Sequence, residues 1–359
     1  MEDNVLVIHG GGPTPVINAS LYGVIEQAVE SGGIGKVYGA LGGTKGVLEE
    51  DFLDLLRVPE DERELLLRTP ASAIGSSRFA LEDGDYAKMP GIFRKYGIKY
   101  VLLNGGNGTM DTCGKIDEAC GGEIKVVGIP KTIDNDIAVT DHTPGYGSAA
   151  RFLAGTVHEV GEDAMGRNAG WLTAASVLAR KEKGDAPHLI YLPERPFNEE
   201  EFLEDVKALY DRRGQVVVVA SEGLRDADGN PVVEPIFRTE RAVYYGDVSS
   251  YLAGLVVRRL GIKARGEKPG ICGRASVPWQ SEVDRKEAIL AGKEALRAAM
   301  EGCSGVMIGF RRKEAPIGEY RMETFRVPIK EVMMYEKTLP DEYINERGND
   351  VTEAFARWC

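Results

Sequence analysis

Three short apolar runs, each ending in a polar or glycine-rich loop, constrain the fold of this chain more than any other feature. Residues 5–8 (Val-Leu-Val-Ile) lead into residues 10–12 (Gly-Gly-Gly), and residues 100–103 (Tyr-Val-Leu-Leu) lead into residues 105–108 (Gly-Gly-Asn-Gly). The third run, residues 124–129, ends at a proline, and helical patterns follow the first two loops. This order predicts an α/β unit with a parallel sheet, whose ligands bind at the carboxyl ends of the strands.

The second half of the chain predicts a further α/β unit. Residues 189–192 and 216–220 are apolar runs typical of buried parallel strands, and residues 198–212 form the helix pattern between them, with Asn198 as N-cap. Residues 284–300 predict a long amphipathic helix. A chain of 359 residues is too long for one small core, so two domains are expected.

Composition excludes several classes of protein. The net charge of -12 argues against non-specific nucleic-acid binding, and no apolar run reaches the length of a membrane span. The five cysteines are odd in number and form no Cys-x-x-Cys pair, so neither a disulfide framework nor a zinc site is indicated. Free thiols favour a reducing compartment, and we therefore expect a cytoplasmic protein without nucleic-acid or membrane partners.

The two glycine loops are candidates for binding phosphate. Glycines let backbone N–H groups turn toward an anion, and the start of the following helix adds a favourable dipole. Each loop alone is also compatible with a tight turn that only connects a strand to the following helix and binds no ligand. Neither spacing is Gly-x-Gly-x-x-Gly or that of a Walker loop, which disfavours a dinucleotide dehydrogenase and a P-loop enzyme. Two loops in one sheet can supply the many N–H contacts that a polyphosphate requires.

The segment Pro-Lys-Thr-Ile-Asp-Asn-Asp at residues 130–136 is the most specific feature. Asp134 and Asp136 follow a predicted buried strand, where unpaired carboxylates are costly to bury. One can act as a general base on an attacking hydroxyl and the other can coordinate Mg²⁺, which prefers oxygen ligands. The alternative is an Asp/Asn turn in which these side chains only cap the backbone.

This segment closely resembles the signature of the phosphofructokinase family, and the resemblance extends through most of the chain. The matching segments are residues 11–18, Gly75-Ser76-Ser77-Arg78, residues 105–109, Met165-Gly166-Arg167, Leu192-Pro193-Glu194, Arg265, Gly270-Ile271-Cys272-Gly273-Arg274, and the tail from 340 to 352. The resemblance implies two Rossmann-like three-layer α/β/α domains with mainly parallel sheets and the active site in the cleft between them. It assigns donor binding to residues 1–145, with residues 300–359 packing back, and sugar-phosphate binding to residues 146–300.

The resemblance also implies a role for each matching residue. Asp134 would take the proton from the 1-hydroxyl of fructose 6-phosphate, with Thr132 and Lys131 as further catalytic residues, and Asp136 and Asn107 would hold Mg²⁺. The residues facing the donor would be Gly11, Gly12, Arg78, Gly105, Gly106, Asn107, Gly108 and Thr109. Those holding the acceptor would be Thr132, Asp134, Asp136, Met165, Gly166, Arg167, Glu194, Arg265 and Arg274. Arginine suits this task because its planar fork binds phosphate oxygens bidentately.

Two positions bear on the phosphoryl donor. In the family, an Asp at the position of Gly108 excludes the ATP α-phosphate, and glycine leaves room for a nucleotide. A lysine at position 131 is typical of pyrophosphate users. Family members that combine this glycine with this lysine resemble ATP users, so we expect ATP as donor, with pyrophosphate as the alternative. The implied reaction is the glycolytic formation of fructose 1,6-bisphosphate by a homodimer or homotetramer.

Three departures from the family pattern keep other functions open. Asn107 stands where an acidic residue often supports Mg²⁺, Ile271 stands where His or Tyr usually assists the sugar phosphate, and residues 150–165 are shorter than the family pattern. These departures motivate a kinase for another sugar or polyol, or a family member that binds ligands without turnover. A lipid or nicotinamide-nucleotide kinase is disfavoured by the segment 130–136.

Overall fold

The computed structural model describes residues 3–77, 79–160, 169–238, 243–316 and 319–359. The strands are β1 (Asp3–His9), β2 (Ile34–Ala40), β3 (Phe52–Asp54), β4 (Ile98–Gly105), β5 (Lys125–Pro130), β6 (Leu189–Tyr191), β7 (Val218–Ala220), β8 (Pro235–Arg238), β9 (Val243–Tyr245), β10 (Val306–Arg312) and β11 (Met322–Pro328). The helices are α1 (Ile17–Ser31), α2 (Thr44–Leu48), α3 (Glu60–Glu64), α4 (Asp83–Lys95), α5 (Asn107–Cys120), α6 (Tyr146–Val160), α7 (Trp171–Ala175), α8 (Glu199–Arg213), α9 (Val248–Leu260), α10 (Gly270–Ala275), α11 (Glu282–Met300) and α12 (Glu353–Trp358). None of the helices in the described ranges is both long and apolar enough to cross a membrane.

The chain divides into two compact units. The first contains Met1–Ala149 and Arg274–Lys337, and the second contains Ala150–Gly273 and Thr338–Cys359. This division differs from the predicted boundaries at residues 145 and 300. Helix α11 and Arg274 belong to the first unit, as do residues 300–337 of the segment predicted to pack back on it, whereas Thr338–Cys359 belong to the second unit.

The first unit is built on a seven-stranded sheet of order β11-β10-β5-β4-β1-β2-β3. The five central strands are parallel, and the edge strands β3 and β11 are antiparallel to their neighbours. Strand β1 lies between β2 and β4, so the strand order reverses there. Such a reversal opens a crevice at the carboxyl ends of the strands, where ligands bind in sheets of this type.

Alternation along the central strands creates a core on each face of this sheet. In β1, Leu6 and Ile8 pack with Met89, Phe93 and neighbouring residues of α4 and α5 on one face. Val5 and Val7 pack on the opposite face against α1 and α11. Because successive side chains of a strand point to opposite faces, a continuous apolar run serves both cores. The result is the predicted α/β/α layering of the first unit.

Helix α11 joins the first unit because it packs tightly on α1. The two helices approach so closely that a Cβ at Gly23 would lie 2.1 Å from the carbonyl oxygen of Ile289, and one at Gly292 would lie 2.0 Å from that of Ser20. Alanines of α11 are buried in the same core as α1. This contact between distant parts of the sequence was not foreseen by the boundary at residue 300.

In the second unit, β6 and β7 pair in parallel and α8 connects them, as predicted from the sequence. The N-cap prediction for Asn198 is confirmed, since its side chain accepts hydrogen bonds from the N–H groups of Glu200 and Glu201. The end of the chain is held in this unit by a bidentate pair between Arg180 and Asp350, with both N–O distances 3.0 Å. Strands β8 and β9 form a separate antiparallel pair.

A buried titratable cluster lies near β10 in the first unit. His142 Nε2 is 2.6 Å from a carboxylate oxygen of Glu287, and the Tyr320 hydroxyl donates to the other oxygen at 2.6 Å. His142 Nδ1 is 3.7 Å from Asp141, which is itself 3.5 Å from Arg312 Nε. Burial opposes the charged imidazole, yet the carboxylates of Asp141 and Glu287 outweigh it and raise the pKa of His142 to about 9.

We expect this cluster to make stability depend on pH in the alkaline range. Because the folded pKa of His142 is raised, its contribution is fully present below the unfolded value of 6.5 and is lost as pH rises through about 9. The free energy of unfolding should fall by about 1–3 kcal/mol across this range. Urea unfolding below pH 6.5 and above pH 9 measures this difference in the free energy of unfolding. His142→Gln should flatten the dependence, and an unchanged profile would contradict the assignment.

Candidate active site

The carboxyl ends of β1, β4 and β5 bring the predicted loops together at one edge of the first-unit sheet. Gly10 N donates to Asn104 O at 2.9 Å, and Lys131 N donates to Gly105 O at 3.0 Å. Thr109 fills the space between the two glycine loops, since a Cβ at Gly10 or Gly105 would lie 2.2 or 2.1 Å from its hydroxyl oxygen. Glycine is therefore required at both positions for the loops to approach each other.

The second glycine loop is shorter than predicted. Asn107, Gly108 and Thr109 lie in the first turn of α5, because the carbonyl oxygen of Gly106 already accepts the N–H groups of Thr109 and Met110 at 2.8 and 3.0 Å. N–H groups in a first helical turn have no partner inside the helix and carry the positive end of its dipole. This change strengthens the prediction that the edge binds an anion.

Lys131 places a positive charge beside the first glycine loop. Its side chain is buried, and Nζ donates to the carbonyl oxygen of Gly12 at 2.6 Å. The ammonium also lies 3.5 Å from the position that a Cβ would take on Gly11. A phosphate that approached the N–H groups of this loop would therefore meet a fixed cation.

The two aspartates follow Lys131 in a tight turn. Asp134 N donates to the Thr132 hydroxyl oxygen at 3.0 Å, and Asn135 has a left-handed backbone with φ 53°. Asn tolerates this conformation better than most residues. The carboxylate of Asp134 is partly exposed and lies 3.9 Å from the guanidinium of Arg274. An acceptor anion held by Arg274 would thus lie close to a carboxylate that can take a proton.

Asp136 and Asn107 are the predicted magnesium ligands, and they are neighbours. Asn107 Nδ2 donates to the backbone carbonyl oxygen of Asp136 at 3.2 Å. Oδ1 of each side chain is buried without a hydrogen-bond partner. Burial and the charge of Asp134 raise the pKa of Asp136 to about 6. Buried oxygens without partners are costly, and a hard cation would satisfy both.

His9 is a residue of this edge that sequence analysis missed. It is fully buried at the end of β1, and its Nδ1 lies 2.8 Å from the Ser72 hydroxyl. The Ser72 hydroxyl donates to Gly75 O, so Nδ1 of His9 must donate to the Ser72 oxygen. The imidazole therefore supports the segment that precedes Arg78, a predicted donor-binding residue. Burial and Lys131 lower the pKa of His9 to about 3, which keeps it neutral. Its position directly before three glycines was the available signal.

The remaining predicted acceptor residues are distributed between the two units. Arg274 begins the second segment of the first unit, although it was predicted in the second domain. In the second unit, Oε1 of Glu194 accepts the N–H groups of Gly170 and Leu339 at 2.8 Å each, and Oε2 is buried without a partner. Arg265 is exposed. Arg78, Met165, Gly166 and Arg167 lie outside the described residues, as does part of the shortened stretch before Met165.

Two glycine loops, a buried lysine and an aspartate pair at the switch point of a parallel sheet define an α/β phosphotransferase. The chain belongs to the phosphofructokinase family, described as "Phosphofructokinase", whose family model matches residues 4–299. It is therefore a phosphofructokinase-type phosphotransferase with an alcohol group as acceptor, as predicted.

The similar proteins include enzymes that are named for different acceptor sugars. Pyrophosphate–fructose 6-phosphate 1-phosphotransferase of Rhodospirillum rubrum is 37% identical over 380 residues, covering 99% of this chain and 92% of the relative. Sulfofructose kinase of Alkalicoccus urumqiensis is 32% identical and covers 99% of this chain and 94% of the relative. The crystal structure of pyrophosphate-dependent phosphofructokinase from Nitrosospira multiformis matches with TM-score 0.89 and 30% identity, covering 99% and 90% of the two chains. These matches agree with two α/β units.

Proposed function

We propose that this protein transfers a phosphoryl group from pyrophosphate to the 1-hydroxyl of fructose 6-phosphate, giving fructose 1,6-bisphosphate and phosphate. The observation that carries the proposal is the buried ammonium of Lys131 at the first glycine loop, 2.6 Å from Gly12 O and three residues before Asp134. The relative from Rhodospirillum rubrum carries this reaction in its name. Pyrophosphate thereby replaces ATP, the donor expected from the combination of Gly108 with Lys131.

The acceptor side of the proposed reaction depends on Asp134. Its carboxylate takes the proton of the 1-hydroxyl as that oxygen attacks the terminal phosphorus, and Thr132 holds the start of the turn through its hydrogen bond with Asp134 N. Arg274, 3.9 Å from Asp134, is a ligand for the sugar phosphate.

The donor side combines backbone N–H groups with cations. Gly11, Gly12 and the first turn of α5 face the phosphates, and Lys131 neutralises charge on the leaving phosphate. Asp136 and Asn107 would hold Mg²⁺, which supplies further charge neutralisation when bound. The described residues contain no group of three or more His, Cys, Asp or Glu side chains suited to a metal. Phosphate oxygens and water would therefore complete the coordination.

The position of Gly108 gives a test of donor choice. Gly108 is exposed, and a Cβ there would meet no atom within 4 Å, so Gly108→Asp should fold normally. We expect the added carboxylate to lower kcat/KM for ATP by about tenfold or more through repulsion, and to change that for pyrophosphate less. Steady-state kinetics with each donor measure this, with Gly108→Asn as the uncharged control. Equal losses with both donors would argue against the proposed donor path.

A sulfonated sugar is a second candidate acceptor. The sulfofructose kinase of Alkalicoccus urumqiensis is 32% identical over nearly the whole chain. A sulfonate and a phosphate present similar oxygen arrangements to an arginine, but the sulfonate carries less negative charge. Ile271, which stands where the family pattern has His or Tyr, is exposed and lies three residues before the predicted acceptor residue Arg274 in the sequence. This substitution removes a polar partner for the acceptor and motivates the comparison.

A coupled assay of fructose 1,6-bisphosphate formation tests the proposal. The purified protein is supplied with fructose 6-phosphate, Mg²⁺ and either pyrophosphate or ATP, and a parallel arm uses 6-deoxy-6-sulfofructose. We expect the highest kcat/KM with pyrophosphate and fructose 6-phosphate. Faster turnover with ATP would restore the first expectation, and faster turnover of the sulfonated sugar would favour the second candidate. Binding without turnover in every arm would instead indicate an inactive family member.

The family pattern further leads us to propose a cytoplasmic homodimer or homotetramer. All five cysteines are free thiols, which suits a reducing compartment. Light scattering of the purified protein measures the mass of the assembly, and a monomer at assay concentration would contradict this part of the proposal.

A further inference from the structure

Helix α11 carries two buried carboxylates in its first two turns. Asp284 and Glu287 are three residues apart, so their side chains emerge from the same face of the helix. Their exposed fractions are 3% and 5%. Burying carboxylates is unfavourable unless they are hydrogen-bonded, which makes their partners informative. Both are missing from the set of site residues predicted from the sequence.

Asp284 binds the start of α6 from outside that helix. Its Oδ1 accepts the N–H of Gly145 at 2.8 Å. Its Oδ2 accepts the N–H of Ser148 at 2.9 Å and the hydroxyl of Ser148 at 2.5 Å. These groups lie at the N-terminus of α6, where N–H groups lack helical partners and a negative charge is favourable. Asp284 therefore fixes the position of residues 145–148, where the chain passes into α6 after the turn that contains Asp134.

Gly145 lies between the two sides of the candidate active site. It forms an isolated parallel bridge with Thr132, and Thr143 donates its hydroxyl proton to Thr132 O at 3.1 Å. A Cβ at Gly145 would lie 2.7 Å from Thr14 Cγ2 and 3.1 Å from Thr132 O. Thr14 follows the first glycine loop, and Thr132 precedes Asp134. Gly145, whose N–H is bound by Asp284, therefore lies against both the first glycine loop (the donor loop, taken to include Thr14) and residues 132–136 (the catalytic turn).

Glu287 provides a second attachment on the same segment. Its carboxylate pairs with His142 at 2.6 Å, three residues before Gly145. The two carboxylates of α11 therefore hold both ends of residues 142–148 from one helical face. Because α11 is itself packed closely on α1, these attachments connect the catalytic turn to the core of the first unit.

We propose that Asp284 is a positioning residue for phosphoryl transfer, with Glu287 supporting it. Asp284 holds Gly145, and Gly145 in turn sets the spacing between Thr14 of the donor loop and Thr132 of the catalytic turn. This inference rests on the proposed function, because it concerns the alignment of donor and acceptor. Alignment errors of about 1 Å from residues outside the chemistry can cost about 10²-fold in rate.

The test uses Asp284→Asn in the full-length protein. The amide keeps the size of the side chain but places an N–H₂ group against N–H donors, so the hold on Gly145 or Ser148 is lost. With fructose 6-phosphate and pyrophosphate, we expect kcat to fall by about 10- to 100-fold, with each KM within about threefold of wild type. Ser148→Ala removes the hydroxyl hydrogen bond to Asp284 and the one that this hydroxyl accepts from Ser281 N, but it keeps both backbone N–H bonds to Asp284 and should give a smaller loss in kcat. It provides the second variant if Asp284→Asn fails to fold.

Asp205→Asn is the matched control. Asp205 is a partly buried aspartate of the second unit that accepts hydrogen bonds from Tyr191 and Asn349. It should lower thermal stability while leaving kcat near wild type. If Asp284→Asn and Ser148→Ala keep the kcat of the control, or if their losses are entirely in KM, the positioning role is wrong.

Hydrogen exchange of the free protein separates this proposal from the proposed function. Asp284→Asn should speed amide exchange across residues 132–148, and Asp205→Asn should not. This result would stand even if wild-type protein made no fructose 1,6-bisphosphate, in which case only the proposed reaction fails. Unchanged exchange in that segment would overturn the inference regardless of activity.

Discussion

Asp134→Asn is expected to lower kcat for fructose 6-phosphate phosphorylation by about 10²- to 10⁴-fold, the usual contribution of a general base. Asn has nearly the same shape but cannot accept the proton of the attacking hydroxyl. The backbone hydrogen bond from residue 134 to Thr132 is preserved, so the turn should keep its conformation. Because Asp134 also lies beside Arg274, removing its charge should leave the KM for the sugar phosphate unchanged or lower. Steady-state kinetics with excess Mg²⁺ and donor measure both constants.

The control for this prediction is Asp83→Asn, an exposed aspartate in the first turn of α4. It should reproduce wild-type kinetics. Circular dichroism melts of both variants establish that they are folded at the assay temperature. Near-normal turnover by Asp134→Asn would show that another group takes the proton.

Lys131→Met is expected to lower kcat/KM for pyrophosphate by about 10²- to 10³-fold, comparable to the loss of one preorganised donor at a developing charge. Methionine keeps the length of the buried side chain and removes only the ammonium, so the packing around β5 should survive. Pyrophosphate has no nucleoside through which it could be held, and its charge is concentrated on two phosphoryl groups. The loss should therefore be larger with pyrophosphate than with ATP. The ratio of the two losses is the measured quantity.

Lys293→Met is the matched control for Lys131. Lys293 lies on α11 with its ammonium 2.9 Å from Glu26 and 2.8 Å from Glu30, so its replacement also removes ion pairs. It is expected to change stability and leave kcat/KM for both donors unaltered. If Lys131→Met lost equal activity with both donors, Lys131 would serve phosphate binding in general and would not explain the choice of pyrophosphate.

The local parts of this fold could be predicted from sequence because short segments specify them. An apolar run followed by glycines specified β1 and β4 with their loops, and Asn198 before acidic residues specified the start of α8. The same reasoning located Lys131, Asp134 and Asp136 at a strand end. In each case the signal lies within a few residues, where periodicity, capping and turn chemistry operate.

The parts that could not be predicted depend on contacts between distant residues. Nothing within residues 282–300 indicates that this helix packs on α1, because its partner glycine lies more than two hundred residues earlier. For the same reason, the buried role of Asp284 was invisible: an acidic residue in a first helical turn usually faces solvent. His9 required knowledge that the Ser72 segment returns to the end of β1.

The discontinuous first unit has a consequence for synthesis of the protein on the ribosome. Strand β5 pairs with β10, and α1 is covered by α11, so both surfaces stay open until residues 282–312 have emerged. The second unit is equally incomplete until the last residues, including Asp350, are available to Arg180. Domains are generally thought to fold in order as they are translated. Here the first unit cannot close before most of the second has been made, and the second cannot close before the first is complete. The nascent chain must therefore keep apolar surface unpaired for most of its elongation.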